Sequence, residues 1–227
     1  MWRSEASLVE SALAPVPDGV DPEVAAHVSA SSATAHRILN DFVPLEIGDH
    51  VVFTGASSAV EQILLQMGAN MGLETVCIVR NDAEREFAQE LGVGKAVDLK
   101  EFKALKMHNT ALVADGEGGK VGATVARSLM TRGCFLSYGD TSQQGVSLPV
   151  GGLIFKDIYC RGFSLARWAS ERPPVEMRDL VRDMLGGADR LRLLGVKRFP
   201  LAEANRAVET VTERPEGTGP VILTSGQ

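Results

Sequence analysis

From His50 onward, short apolar runs alternate with stretches of helical periodicity, and few chain folds satisfy such a pattern. Residues 51–54 (Val-Val-Phe-Thr) form a β-branched and aromatic run bounded by Gly48-Asp49 and Gly55, which predicts a buried strand. Residues 59–71 place Val60, Ile63, Leu64, Met67 and Met71 at helical spacing, and Gly72 ends that helix. The cycle repeats as a strand at 75–79, a helix at 83–91 stopped by Gly92, and strands at 96–98 and 111–114. A helix at 119–130 and strands at 133–138 and 158–161 complete it. Strands this apolar, joined by helices, imply right-handed crossovers and a doubly wound parallel sheet covered on both faces. The expected class is therefore α/β.

The flanks follow other patterns. Residues 6–16, with Pro15 and Pro17, look like a strand and loop of another sheet, and residues 27–39 read as a helix. After Pro173-Pro174 come an amphipathic helix at 175–185, a strand at 196–199, a helix at 201–213 and a last strand at 221–223. The expected division is 1–26, 27–170 and 171–227, the middle segment being the α/β unit.

Composition narrows the function. The 227 residues are 44% hydrophobic and 23% charged, which suits a packed globular chain. A net charge of −6 argues against nucleic acid and against an anionic membrane surface as partners. No apolar run approaches the ~20 residues of a membrane span, and the N-terminus lacks the apolar core of a secretory signal. Cys77, Cys134 and Cys160 lie in apolar runs and are expected to be buried thiols. His27, His36, His50 and His108 do not pair with other ligand types at metal-binding spacing, so no metal is expected. No Gly-x-Ser-x-Gly elbow is present, and the Arg-rich run at 182–198 reads as a solvated face.

The first strand leads into Thr54-Gly55-Ala56-Ser57-Ser58-Ala59-Val60-Glu61. A Rossmann-type unit places its glycine-rich turn here, so that backbone N–H groups at a helix N-terminus meet a dinucleotide pyrophosphate. Gly55 suits the tight turn, and Ser58, Ala59 and Val60 open the helix. Glu61 stands where the fingerprint wants a glycine. It adds bulk and a charge that opposes phosphate, although an acidic residue also stabilises a helix N-terminus by ~0.3–1 kcal/mol. At the end of the second strand stands Arg80, where an acidic residue would hold the ribose of NAD and an arginine would suit the 2′-phosphate of NADPH. Tyr138 ends the fifth strand at the carboxyl edge of the sheet, within reach of a ligand or simply capping the strand. The candidate cofactor residues are thus Gly55, Ser58, Ala59, Val60, Arg80 and Tyr138, with Glu61 as the expected block.

Several stretches resemble the mitochondrial trans-2-enoyl-thioester reductases of the medium-chain dehydrogenase/reductase superfamily. Trp2-Arg3-Ser4-Glu5-Ala6 is similar to that family's Trp-Arg-Thr-Glu-Ala, and residues 33–39 resemble its Thr-Ala-Tyr helix. Gly48-Asp49-His50-Val51, Gly118-Gly119-Lys120 and Ser137-Tyr138-Gly139 follow its pattern. The most specific match is Leu153-Ile154-Phe155-Lys156-Asp157, followed by Arg161-Gly162-Phe163 and Trp168. The resemblance implies NADPH-dependent reduction of enoyl thioesters, a mitochondrial location and dimerisation through the strand near 158–162.

The departures point another way. The family begins with a GroES-like catalytic domain that carries its catalytic tyrosine. Here only that domain's last strand, at 6–16, and the strand at 221–223 are expected as remnants, so no catalytic residue is assigned. Ser31-Ser32, His36, Glu61, Asp140 and Ser164 replace family residues on the functional surface. The expectation is a non-catalytic, reductase-like pseudoenzyme subunit of a larger mitochondrial assembly, such as a respiratory complex. It would bind no cofactor, or NADPH if any, and would meet other subunits, or a second copy, through the face the missing domain leaves. The alternatives are an NADPH-dependent enoyl-thioester or quinone reductase completed by another chain, and an NADPH-binding regulatory module.

Overall fold

The computed structural model describes residues 5, 7–10 and 13–225. Six parallel strands form one sheet: β1 (His50–Thr54), β2 (Glu74–Ile78), β3 (Lys95–Val97), β4 (Thr110–Asp115), β5 (Leu129–Ser137) and β6 (Tyr159–Gly162). Their order is β3-β2-β1-β4-β5-β6, with the direction of winding reversing between β1 and β4. This is the doubly wound arrangement that leaves a crevice at the carboxyl ends of the two central strands.

Alternation along each strand divides the core in two. On one face Val51, Phe53, Cys77, Leu112 and Leu136 pack with Ile38 and Leu39 of α2 (Ala33–Asn40) and with Ile63, Leu64 and Leu65 of α3 (Ala59–Asn70). Ala88 of α4 (Asp82–Glu90) extends that layer. On the other face Val52, Val76, Ile78, Val113 and Phe135 pack with Phe102 of α5 (Leu99–Leu105) and Val125 of α6 (Gly119–Val125). Side chains at i and i+2 share a face, so one apolar run feeds both layers.

Helix α5 was not expected. Its Asp98 cap accepts from the Lys100 and Glu101 N–H groups, and Glu101 reaches back to the Asp98 N–H. That capping box starts a helix in a segment of only seven residues. Helices α7 (Val150–Phe155) and α8 (Leu165–Ser170) were likewise unforeseen. The helix expected at 119–130 ends early. After a single 3-10 turn at Ala126–Ser128 the chain enters β5, because Leu129 is drawn into the second core layer.

The helix expected at 27–39 is a composite of α1 (Pro22–His27), a π-helical turn at Val28–Ser32, and α2. Val28, Ser31 and Ser32 of the wide turn are buried.

The strand expected at 6–16 is absent from residues 7–10 and 13–16. Leu8, Val9, Leu13 and Val16 of that stretch are exposed and pair with no sheet. Residues 6, 11 and 12 of that stretch, and Trp2, Arg3 and Ser4, lie outside the described residues. With no adjacent strand to supply ladder partners, an apolar run has nothing to hold it extended.

The C-terminal part contains α9 (Pro174–Leu185), β7 (Lys197–Pro200), α10 (Ala204–Glu213) and β8 (Val221–Thr224). Here β8 pairs in parallel with β7 as a two-stranded sheet. The segment before β7 is strapped to α3 by paired amides. Gln62 donates to the Leu194 carbonyl and accepts from the Leu194 N–H, at 3.0 and 2.7 Å. Gln66 does the same with Arg192, at 2.9 Å each way.

Two of the three cysteines, Cys77 and Cys134, are buried as expected. Cys160 is exposed. It lies on β6, the edge strand of the sheet.

Candidate functional site

The crevice between β1 and β4 is built by polar side chains that tie strand ends to turns. Asp115, at the end of β4, is fully buried. Its carboxylate accepts from the Thr54 hydroxyl at 2.9 Å and from the Glu117 and Gly118 N–H groups at 3.2 and 3.1 Å. The Thr54 hydroxyl in turn accepts from the Gly116 N–H at 2.9 Å. The two turns facing the crevice are thereby locked together. Burial raises the Asp115 carboxyl above its ordinary value, and these donors offset part of the rise.

The turn after β1 holds Gly55 with φ +86°, a conformation that glycine adopts without strain. Ser58 caps α3, and its hydroxyl accepts from the Glu61 N–H at 3.3 Å. Glu61 is only 4% exposed. Its carboxylate folds back over the turn and accepts from the Ser57 and Ser58 N–H groups at 2.7 and 2.8 Å. A Cβ placed on Gly55 would lie 2.6 Å from the Glu61 carboxyl carbon, so the carboxylate fills the space that the glycine leaves open. The capping box is thus what brings the carboxylate over the turn. Burial pushes the Glu61 carboxyl above its ordinary value, with the Ser58 N–H pulling the other way and the nearby Glu84 charge adding to the rise.

Arg80 follows β2, close to the same turn. Its backbone N–H and its Nε donate to Glu84 at 2.8 and 2.9 Å, and its Nη2 donates to the Ser57 hydroxyl at 2.9 Å. The Arg80 Nη2 also pairs with Glu84, and the Ser57 hydroxyl donates to the same carboxylate. The Glu84 side chain is 2% exposed, against 31% for Arg80. Burial opposes ionisation of Glu84, but the Arg80 and Ser57 hydrogen bonds outweigh it and hold the carboxyl below its ordinary value.

The structure separates the other candidates. Gly55 and Arg80 line a cavity of about 370 Å³ with Ile78, Val79, Leu99 and Val121. Ser58, Ala59 and Val60 line a different cavity of about 240 Å³ that faces His27, Arg214 and the C-terminal part. Tyr138 lines neither. Its ring lies against Gly116, where an added Cβ would come within 3.0 Å, and its buried hydroxyl has no hydrogen-bond partner among the described residues. Burial and the neighbouring Glu61 and Asp115 charges push the phenol well above its ordinary value. Ser57, Glu84 and Asp115 were not among the expected site residues. The spacing Asn81-x-x-Glu84 repeats the Ser58-x-x-Glu61 pattern and was the available signal.

A dinucleotide needs donors from this turn and from the arginine after β2. Here the Ser57 and Ser58 N–H groups and the Arg80 guanidinium are already paired with carboxylates. A dinucleotide placed here would have to compete with both carboxylates for these donors. No cluster of potential metal ligands occurs among the described residues.

The chain is 32% identical over 191 residues to the human mitochondrial enoyl-acyl-carrier-protein reductase, an alignment covering 79% of this chain and 51% of that one. It is a distant homologue of the mitochondrial enoyl-acyl-carrier-protein reductases. It spans about half the length of the curated relatives it matches. Solved quinone reductase structures share the fold over most of the chain. One assigned as an NADPH:quinone reductase from Bacillus thuringiensis superposes with a TM-score of 0.81 at 21% identity, covering 96% of this chain and 69% of that one. The Escherichia coli quinone oxidoreductase, solved with NADPH, superposes with a TM-score of 0.78 at 20% identity, covering 92% and 67%. At such identity these likenesses speak for the fold alone. No family model matches the chain. No helix among the described residues is long and apolar enough to cross a membrane.

Proposed function

We propose that this reductase homologue is a non-catalytic structural subunit of a larger mitochondrial assembly, such as a respiratory-chain complex, and works without a bound nicotinamide cofactor. The observation that carries this reading is the Glu61 carboxylate seated on the Ser57 and Ser58 N–H groups. An internal anion there competes with a pyrophosphate for the same donors, and like charges disfavour having both. The mitochondrial location of the reductase relatives supports the compartment. Exposed apolar side chains support a partner-bound state: Val150, Ile154 and Phe155 of α7 are 65%, 66% and 83% exposed.

The competing reading is an NADPH-dependent enoyl-thioester or quinone reductase completed by another chain. It draws its support from the activities of the relatives and requires a cofactor. Calorimetric titration of NADPH into the purified chain separates the two. The expected result is no binding by the native chain and measurable binding by Glu61→Gly. Micromolar or tighter binding by the native chain would overturn the scaffold reading.

A further inference from the structure

Glu61 accounts for one end of a dinucleotide only. We infer that Glu84 is a second, independent built-in anion: it occupies the position of a nucleotide 2′-phosphate, so the fold carries its own carboxylates at both phosphate positions. The inference rests on the scaffold reading and goes further than it, because it assigns a role to a residue that Glu61→Gly leaves untouched.

The geometry is specific. The two oxygens of Glu84 take three donors from Arg80, namely its backbone N–H, Nε and Nη2. They take a fourth from Ser57, the residue whose N–H also serves Glu61. A planar guanidinium gripped along its Nε–Nη2 edge has that edge satisfied, and a phosphate seeking the same two donors would have to compete with Glu84 for them. The contact is also buried on the carboxylate side, so displacing Glu84 would strand a charge with little access to water. Both glutamates stand three residues after the cap of their helix, Ser58 for α3 and Asn81 for α4. A glutamate there ordinarily reaches back to its own cap N–H. Glu84 reaches one residue further and meets the Arg80 N–H and guanidinium. That extension is the feature capping alone does not require.

The test compares NADPH with NADH, which differ by the 2′-phosphate, on the full chain by calorimetry. With Glu61→Gly alone, Arg80 stays locked and the two cofactors should bind within about threefold of each other. With Glu61→Gly and Glu84→Ala together, Arg80 is free and NADPH should be favoured by about tenfold or more. Adding Arg80→Ala should return the ratio to near one. Glu61→Gly with Glu84→Gln keeps the acceptor, removes the charge and should give an intermediate preference, and it serves if the alanine variant fails to fold. A tenfold NADPH preference in Glu61→Gly alone would overturn the role of Glu84 and leave the Glu61 block standing. So would parity in the folded double variant. Loss of all binding by both variants, with native-like thermal melts, would show that the carboxylates are not what excludes the cofactor. Tight NADPH binding by the native chain is the separate outcome that sinks the scaffold reading itself.

Discussion

At the scale of single residues, Glu61 of α3 and Glu84 of α4 both hydrogen-bond Ser57 and have carboxyl values shifted in opposite directions. The folded-state carboxyl of Glu84 lies below its ordinary value. Its contribution is therefore fully present above the ordinary glutamate value of about 4.3 and is lost as pH falls through the lower folded value. Glu84→Gln should lower stability by about 1–3 kcal/mol at pH 7, where it leaves Arg80 without its anion, and the deficit should shrink towards pH 3. Glu61 runs the other way. Its raised carboxyl means that stability falls as pH rises from the ordinary value through the raised one. Glu61→Gln, whose amide oxygen can still accept from Ser57 and Ser58, should cost less than about 1 kcal/mol at pH 7 and flatten that part of the profile. Urea melts from pH 3 to pH 8 check both, and a larger loss for Glu61→Gln than for Glu84→Gln would contradict the assignment. Cys160 gives a simpler check at this scale. A maleimide should label that single thiol in the native protein and all three after denaturation, since Cys77 and Cys134 are buried.

At the scale of elements, the strap of residues 192–194 on α3 joins the two parts of the chain. Each glutamine of α3 donates and accepts on one backbone residue, so truncation strands an N–H and a carbonyl together. Gln62→Ala should cost about 1–3 kcal/mol. The loss should appear as faster hydrogen exchange at Leu194, whereas the amides of β1 and β4 should stay protected. Uniformly faster exchange would mean that the strap belongs to the same cooperative unit as the sheet. The helix starts were legible in part. Ser58-x-x-Glu61 and Asp98-x-x-Glu101 are capping boxes in the plain sequence. From sequence, Glu61 reads as a residue in a glycine's place and as a charge suited to a helix N-terminus, and its cap contact shows only in the fold. A seven-residue helix such as α5 carries too little periodicity to show in sequence.

At the scale of the whole molecule, α7 packs on β5 and carries exposed apolar side chains. Nothing among the described residues covers Ile154 or Phe155. Replacing both with aspartate should change stability by no more than about 0.5 kcal/mol, because neither packs in the core. If α7 meets a partner, the same pair should release the protein from any large species on blue-native gels of mitochondria. Unchanged migration would remove α7 from the proposed interface.

The amino-acid sequence by itself determined the α/β class, the parallel order of winding and the two-sided core. Those follow from local periodicity, and each strand carries its own pattern. It also placed Gly55, Arg80 and Glu61 at the ends of β1 and β2 and the start of α3, because turn residues are written next to the elements they join. The composite helix at 22–40, the unpaired stretch before it and the β7–β8 pair depended on neighbours far along the chain, which periodicity does not encode. Only the tertiary structure decided where two carboxylates went. A glutamate side chain can point to solvent or into a turn with the same sequence around it. The choice was settled by donors from Ser57, Ser58 and Arg80, which the parallel pairing of β1 and β2 brings to one place.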